Sequence, residues 1–283
     1  MKQRVITGVF FTLLMLAGIW FQGWVMLALL SAFMLIATQE MYRALRATGI
    51  EPVRWAGYSF CVLTIIAEGF TLFSDTYNHL SLVPLLLGMM LAMLRLVMHG
   101  KIAVESLMAT VFPMLYPGIF FMVLMELLHL QNRAVITTAL LLAFFAASIN
   151  DVFALFSGML FGKHKLSPEL SPKKTIEGSI GGMIFSVLFC VAVPPLLKLI
   201  FSFDAEFIAQ MAVLPPLWSF AILGLVAGAF SQIGDLTASM IKRHCGVKDY
   251  GSLLPGHGGI MDRMDGVLFC GATCYIFFRM AGL

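Results

Sequence analysis

The sequence predicts an all-α, polytopic membrane protein of about nine spanning helices. Two observations carry this. Of the 283 residues, 60% are hydrophobic and only 12% charged, about half the charged share of an ordinary soluble domain. The hydrophobic residues also fall in long runs, and a spanning helix needs about 20 mostly apolar residues. The runs cover about 5–21, 24–41, 54–74, 80–98, 106–128, 135–161, 177–201, 212–234 and 264–282.

The first two runs are continuous apart from Gln22-Gly23. At about 1.5 Å rise per residue, together they are too long for one upright helix. A hairpin of two helices is predicted there. The basic residues test this arrangement, because Lys and Arg concentrate in cytoplasmic loops. With a hairpin at Gln22-Gly23 and the N-terminus inside, only Arg133, Lys198 and Arg279 of the 18 basic residues fall on the outer face. A single span over 5–41 would invert every later loop. The first apolar run is read as mature membrane structure, since no A-x-A-like cleavage site follows it.

Two long polar loops, about 162–176 and 235–261, then share the cytoplasmic face. They are basic and punctuated by Gly and Pro, so a site for a soluble anionic substrate is expected there. Residues 1–140 are read as an N-terminal set of helices and 141–283 as the catalytic region. The net charge of +3 is too small to argue for nucleic acid. The five cysteines form no CxxC pair and are read as small apolar residues rather than a zinc site. Gly178-x-x-x-Gly182 and Gly224-x-x-x-Gly228 have the spacing that lets helices approach closely. They suit packing within the chain, with a homodimer seam as the other use.

The chemistry concentrates between Asp235 and Asp265. Four acids (Asp235, Asp249, Asp262, Asp265) alternate with four bases (Lys242, Arg243, Lys248, Arg263) around a glycine-rich loop holding His257. Charge beside a membrane span is costly and points to function. Carboxylates with hydroxyls such as Ser239 are the hard oxygen donors that Mg²⁺ takes. Interleaved cations and glycine-rich backbone suit phosphate oxygens. This is the equipment of phosphoryl or nucleotidyl transfer. A helix N-terminus just after the glycines could favour phosphate, or Asp262 there could simply suit the helix dipole. Upstream, Asp151 lies inside an apolar run and needs a partner, a metal or water. Ser171, Lys173, Lys174 and Thr175 form a basic turn before a helix. Glu68 and Glu126 also lie within spans, where hydrogen bonding between helices is the default.

The run from Ser239 through Lys242-Arg243, Lys248-Asp249 and Leu254 to Asp262-Arg263 and Asp265 resembles the signature of the phosphatidate cytidylyltransferases (CDP-diacylglycerol synthases). The likeness extends upstream through Asn150-Asp151, Phe161–Leu166, Ser171–Gly178 and Gly234-Asp235, covering about 148–266. It implies a bacterial-type enzyme of the cytoplasmic (inner) membrane that joins CTP to phosphatidic acid in the bilayer and releases pyrophosphate with Mg²⁺, a second cation being left open. Asp235, Lys242, Arg243, Lys248, Asp249, His257, Asp262, Arg263 and Asp265 would be catalytic. Of these, Asp235, Asp249, Asp262 and Asp265 would be metal ligands. Asp151, Ser171, Lys173, Lys174, Thr175 and Ser239 would bind substrate.

Three other readings compete. A relative could keep the motif and use another lipid or nucleotide. A CDP-alcohol phosphotransferase shares Asp-x-x-Asp-Gly, but needs further acids down the same helix, and Val267 to Phe278 has none. A transporter needs polar groups at mid-membrane depth in several spans, whereas this chain gathers them at one face.

Overall fold

A computed structural model describes residues 2–73, 82–98, 104–254, 256 and 258–283, with side chains from residue 6 onward. His257 and Lys101, and the side chains of Lys2 and Arg4, lie outside the described residues. Two compact units emerge. The first is Met1–His129 with Ile241–Arg263; the second is Leu130–Met240 with Met264–Leu283.

In the first unit, α1 (Lys2–Phe21) and α2 (Gly23–Arg46) form the predicted hairpin. The chain reverses at Gln22 and Gly23, both at positive φ (49° and 41°). Phe11 stacks on Phe33 with ring centroids 5.6 Å apart. These residues lie equally far from Gln22, so only an antiparallel return brings them together. Helices α3 (Arg54–Phe73) and α4 (Val83–Met98) follow. The next stretch is broken: α5 (Val104–Pro113) passes through a π-helical segment into α6 (Phe120–Glu126) and a 3₁₀ turn ending at His129. Pro113 and Pro117 remove backbone donors there, and Tyr116 leaves helical geometry (φ −137°, ψ 112°). Glu68 finds its partner in His129, at 2.9 Å, with both side chains buried.

The second unit is built on α7 (Arg133–Phe161), α8 (Ile176–Ile200), the short α9 (Ala205–Gln210), most of α10 (Leu217–His244) and most of α11 (Met261–Met280). Both glycine spacings serve packing inside this unit. A Cβ on Gly182 would lie 2.6 Å from the Asn150 carbonyl oxygen on α7. One on Gly224 would lie 2.6 Å from the Val187 Cα on α8. Gly182→Val should therefore destabilise the protein by about 1–3 kcal/mol through overpacking, read as a lower unfolding temperature in detergent. Unchanged stability would mean that α7 and α8 are not in contact there.

Among the described residues all nine predicted stretches are mainly helical, but they are not equivalent. Among the described residues six helical stretches are long and apolar enough to cross a membrane: α2, α3, Val104–His129, α7, α8 and α10. Ile6–Phe21 and α4 are shorter apolar helices. Helix α11 is not among the six, because Asp262, Arg263, Asp265 and Arg279 give it too many charges.

Two sequence expectations need correction. The chain is not purely α: Lys165–Ser167 (β1) and Ser171–Thr175 (β2) pair antiparallel inside the 162–176 loop. The second polar loop is also shorter than 235–261, because α10 continues to His244. No Gly or Pro lies between Asp235 and Gly246, and Lys242, Arg243 and His244 suit the negative end of a helix. Gly246 (φ 67°) then ends the helix, with Val247 N–H donating to the Lys242 carbonyl at 3.0 Å and Gly246 N–H to that of Arg243 at 3.2 Å. That is a Schellman cap, which requires a residue at positive φ.

Candidate active site

In the second unit, β1 and β2 project from the ends of α7 and α8. Glu177, in the first turn of α8, braces them. Its carboxylate accepts from the Lys163 and His164 N–H groups at 3.1 and 3.2 Å and meets His164 Nδ1 at 2.7 Å. Thr175 caps α8, its hydroxyl accepting from Gly178 N–H at 3.1 Å. Gly158 and Gly162 leave no room for a Cβ against the Thr175 side chain. The lysine-bearing strand is thereby pinned to α7.

Beside this strand lies a cleft of about 470 Å³. Asp151, Lys173, Lys174, Thr175, Ser179, Gln232 and Asp235 supply its polar lining. Lys174 Nζ pairs with Asp235 Oδ2. The Ser239 hydroxyl, one turn further along α10, lies 3.5 Å from Asp235 Oδ1. Gln232 is fixed from both sides: its amide donates to Asn150 Oδ1 and the Ser179 carbonyl, each at 3.0 Å, and its oxygen accepts from the Ser179 hydroxyl. The remaining lining is apolar. Leu155 and Met159, one and two turns beyond Asp151, are exposed on the outside of the helix. Asp151 itself is exposed to the cleft although it lies ten residues from the end of α7, which is about 15 Å along the axis. The cleft thus joins a charged lining to an exposed apolar wall.

Asp265, on the second unit's part of α11, is buried (8% exposed), and its Oδ1 accepts from Gly266 N–H at 2.8 Å. Ser171 opens β2 and is half-buried; the cleft lining does not include it.

The first unit holds the rest of the predicted set. Asp262, at the second position of α11, is nearly enclosed. Its Oδ1 accepts from Lys242 Nζ at 2.8 Å, and its Oδ2 accepts from Tyr250 N–H at 2.8 Å and Gly259 N–H at 3.0 Å. Lys242 also lies over the Tyr250 ring, 5.4 Å from the centroid. Gly258 takes φ 83°, and a Cβ there would sit 2.7 Å from Asp262 Oδ2. Leu254 N–H donates to the Gly258 carbonyl at 2.9 Å and closes the tight loop. Arg243, Lys248, Asp249 and Arg263 are exposed. The Cys245 thiol beside the loop is buried, which raises its pKa above the ordinary value and argues against a thiolate nucleophile.

Sequence reasoning does not single out Glu40, which belongs to this loop. This α2 residue is buried (4% exposed). Its carboxylate accepts from Ile260 N–H at 3.2 Å and Met261 N–H at 2.8 Å. Gly251 and Gly259 press on it, and a Cβ on either would collide with its oxygens. The signal is a carboxylate in an apolar run, the same one that marks Asp151. The Gly259, Ile260 and Met261 amides at the start of α11 thus donate to Asp262 and Glu40, and a carboxylate there suits the helix dipole.

Within neither unit do three or more His, Cys, Asp or Glu side chains of the described residues converge as a metal cage. Mg²⁺ needs no such cage when it arrives with phosphates: one or two carboxylates suffice. Asp151 and Asp235 on one cleft, with the Thr175 and Ser179 hydroxyls, match that donor set. Asp262 lies in the first unit, where its oxygens accept from Lys242, Tyr250 N–H and Gly259 N–H.

Comparison with known proteins agrees with this chemistry. A family model described as "Cytidylyltransferase family" matches residues 2–281. The phosphatidate cytidylyltransferase 5, chloroplastic, of Arabidopsis thaliana is 30% identical over 312 aligned residues, which span all of this chain and 73% of that one. The phosphatidate cytidylyltransferases of Staphylococcus saprophyticus and Staphylococcus aureus (strain COL) are 41% and 43% identical over 155 and 154 residues. Each alignment spans 54% of this chain and 52% of the relative.

Proposed function

Because the chain belongs to the cytidylyltransferase family, we propose that it condenses CTP with phosphatidic acid to give CDP-diacylglycerol and pyrophosphate. The single observation that carries this reading is the cleft in the second unit. It sets Lys173, Lys174, Asp151 and Asp235 against an exposed apolar wall. A water-soluble triphosphate needs the first feature, and a diacyl lipid needs the second.

The lipid supplies its own nucleophile. An oxygen of the phosphatidic acid phosphate attacks the α-phosphorus of CTP, and the bond from that phosphorus to the bridging oxygen breaks. The electron pair leaves with pyrophosphate. No covalent protein intermediate is required. The main obstacle is repulsion between two polyanions, which Lys173 and Lys174 offset. Mg²⁺, held by Asp235 with Asp151, would neutralise phosphate charge and stabilise the leaving pyrophosphate. Lys174 then exchanges its contact with Asp235 for a substrate phosphate. Ser171, Thr175 and Ser239 supply polar contacts at the edge of the site. Lys242 and Asp262 hold the signature loop in shape, while Arg243, Lys248, Asp249 and Arg263 form its exposed, charged part. The enzyme sits in the cytoplasmic membrane of a bacterium with nine spans, and the reaction takes place at the cytoplasmic side.

Purified protein in detergent, given CTP, Mg²⁺ and phosphatidic acid, should release pyrophosphate only when the lipid is present. Release with UTP or ATP but not CTP would favour the motif-sharing relative with another nucleotide. Release without any lipid would make the protein a hydrolase and sink the reading.

A further inference from the structure

We propose that Glu40, in the N-terminal half of the chain, is a positioning residue for the reaction: its carboxylate fixes the start of α11 and the glycine loop before it. This rests on the reading that the signature loop serves cytidylyl transfer.

The geometry is specific. Two consecutive backbone N–H groups, of Ile260 and Met261, converge on one buried carboxylate from a helix some 220 residues earlier. The first amides of a helix have no partner within it, and a negative charge there is favourable. Glu40 meets both needs from outside the loop. Its fit is close on both sides, since Gly251 and Gly259 bring bare Cα atoms against it. Neither glycine has positive φ among the described residues. Their lack of a side chain is therefore explained by the presence of the Glu40 carboxylate rather than by backbone strain.

Asp262 holds the same loop from within. It takes Gly259 N–H and Tyr250 N–H, while Glu40 takes the next two amides. The two carboxylates thus cover three successive donors, Gly259, Ile260 and Met261. Asp249, Lys248 and Arg263 are carried on that loop or on the first turn of α11, so their placement depends on it. Glu40 touches no substrate in this scheme. It contributes by removing freedom from residues that do, and a misplacement of about 1 Å in such a site costs on the order of 100-fold in rate.

Glu40→Gln tests this in the full-length protein. The amide keeps the size of the side chain but offers one acceptor oxygen and turns an N–H₂ toward the second donor. Hydrogen exchange followed by mass spectrometry reads the loop directly. Peptides spanning 250–264 should exchange about tenfold faster, as loss of one hydrogen bond implies, while α7 and α8 peptides stay unchanged. The kcat should fall about 100-fold, with KM for CTP changed by less than about threefold. Glu40→Asp retains the charge on a shorter stem and should lie between the two. If Glu40→Gln does not fold, the aspartate variant alone carries the exchange comparison. Unchanged loop exchange, or wild-type kcat in a folded variant, would overturn the proposal. If the wild type does not use CTP and phosphatidic acid, the functional reading fails while the exchange result still judges Glu40.

Discussion

Asp235→Ala should lower the turnover of CDP-diacylglycerol formation at least about 100-fold, the scale of losing one preorganised electrostatic group at a reacting phosphate. Three consequences follow from its position. Lys174 loses the carboxylate it pairs with, so it no longer waits in the cleft in a defined place. The Ser239 hydroxyl loses a neighbour 3.5 Å away. A hard oxygen donor for Mg²⁺ also disappears from a site where Asp151 is the other carboxylate of the lining. The variant should therefore require more Mg²⁺ for half-maximal rate, and excess Mg²⁺ should recover part of the activity. Lys174→Ala should behave differently, chiefly raising KM for the anionic substrates, because it removes attraction rather than the metal donor. A Mg²⁺ dependence in Asp235→Ala identical to that of the wild type would contradict the assignment.

Asp262→Ala should cost stability before chemistry. Its carboxylate is the acceptor for Lys242, Tyr250 N–H and Gly259 N–H. Removing one partner of a buried ion pair costs about 3–5 kcal/mol, and each orphaned buried amide costs about 1–3 kcal/mol. Lys242 is 16% exposed and can turn to water, and these contributions do not add in full. We expect a net loss of about 3 kcal/mol. Thermal unfolding in detergent measures it, with Asp262→Asn intermediate because the amide oxygen still accepts. Were Asp262→Ala instead to unfold like the wild type and yet lose all activity, Asp262 would be acting on substrate or metal, as the sequence alone suggests.

The helical stretches were legible because long apolar runs leave a strong one-dimensional signal, and the length of the first run with its break at Gln22-Gly23, supported by the charge asymmetry, predicted the hairpin. The sequence also marks Asp151, Lys173, Lys174, Thr175 and Asp235, which the fold gathers on one cleft. Three things were not legible, each for a physical reason. The β1–β2 pair is held by Glu177 and Thr175, contacts that no periodicity encodes in so short a segment. The extension of α10 to His244 hides in a run of charges that reads as loop, although it contains no helix breaker before Gly246. Glu40 lies 220 residues from its partners, and no local pattern links it to them. The role of Asp262 was open for a related reason: its spacing from Asp265 suggests a shared metal, whereas its hydrogen bonds tie it to the loop.

The most direct test follows the label of α-³²P CTP in the presence of phosphatidic acid and Mg²⁺, for the wild type and Asp235→Ala side by side. The account predicts label in the lipid product of the wild type, unlabelled pyrophosphate in the aqueous phase, and almost no labelled lipid from the variant. Label that stays in water with the wild type would contradict the chemistry, and equal labelling of lipid by both proteins would contradict the site.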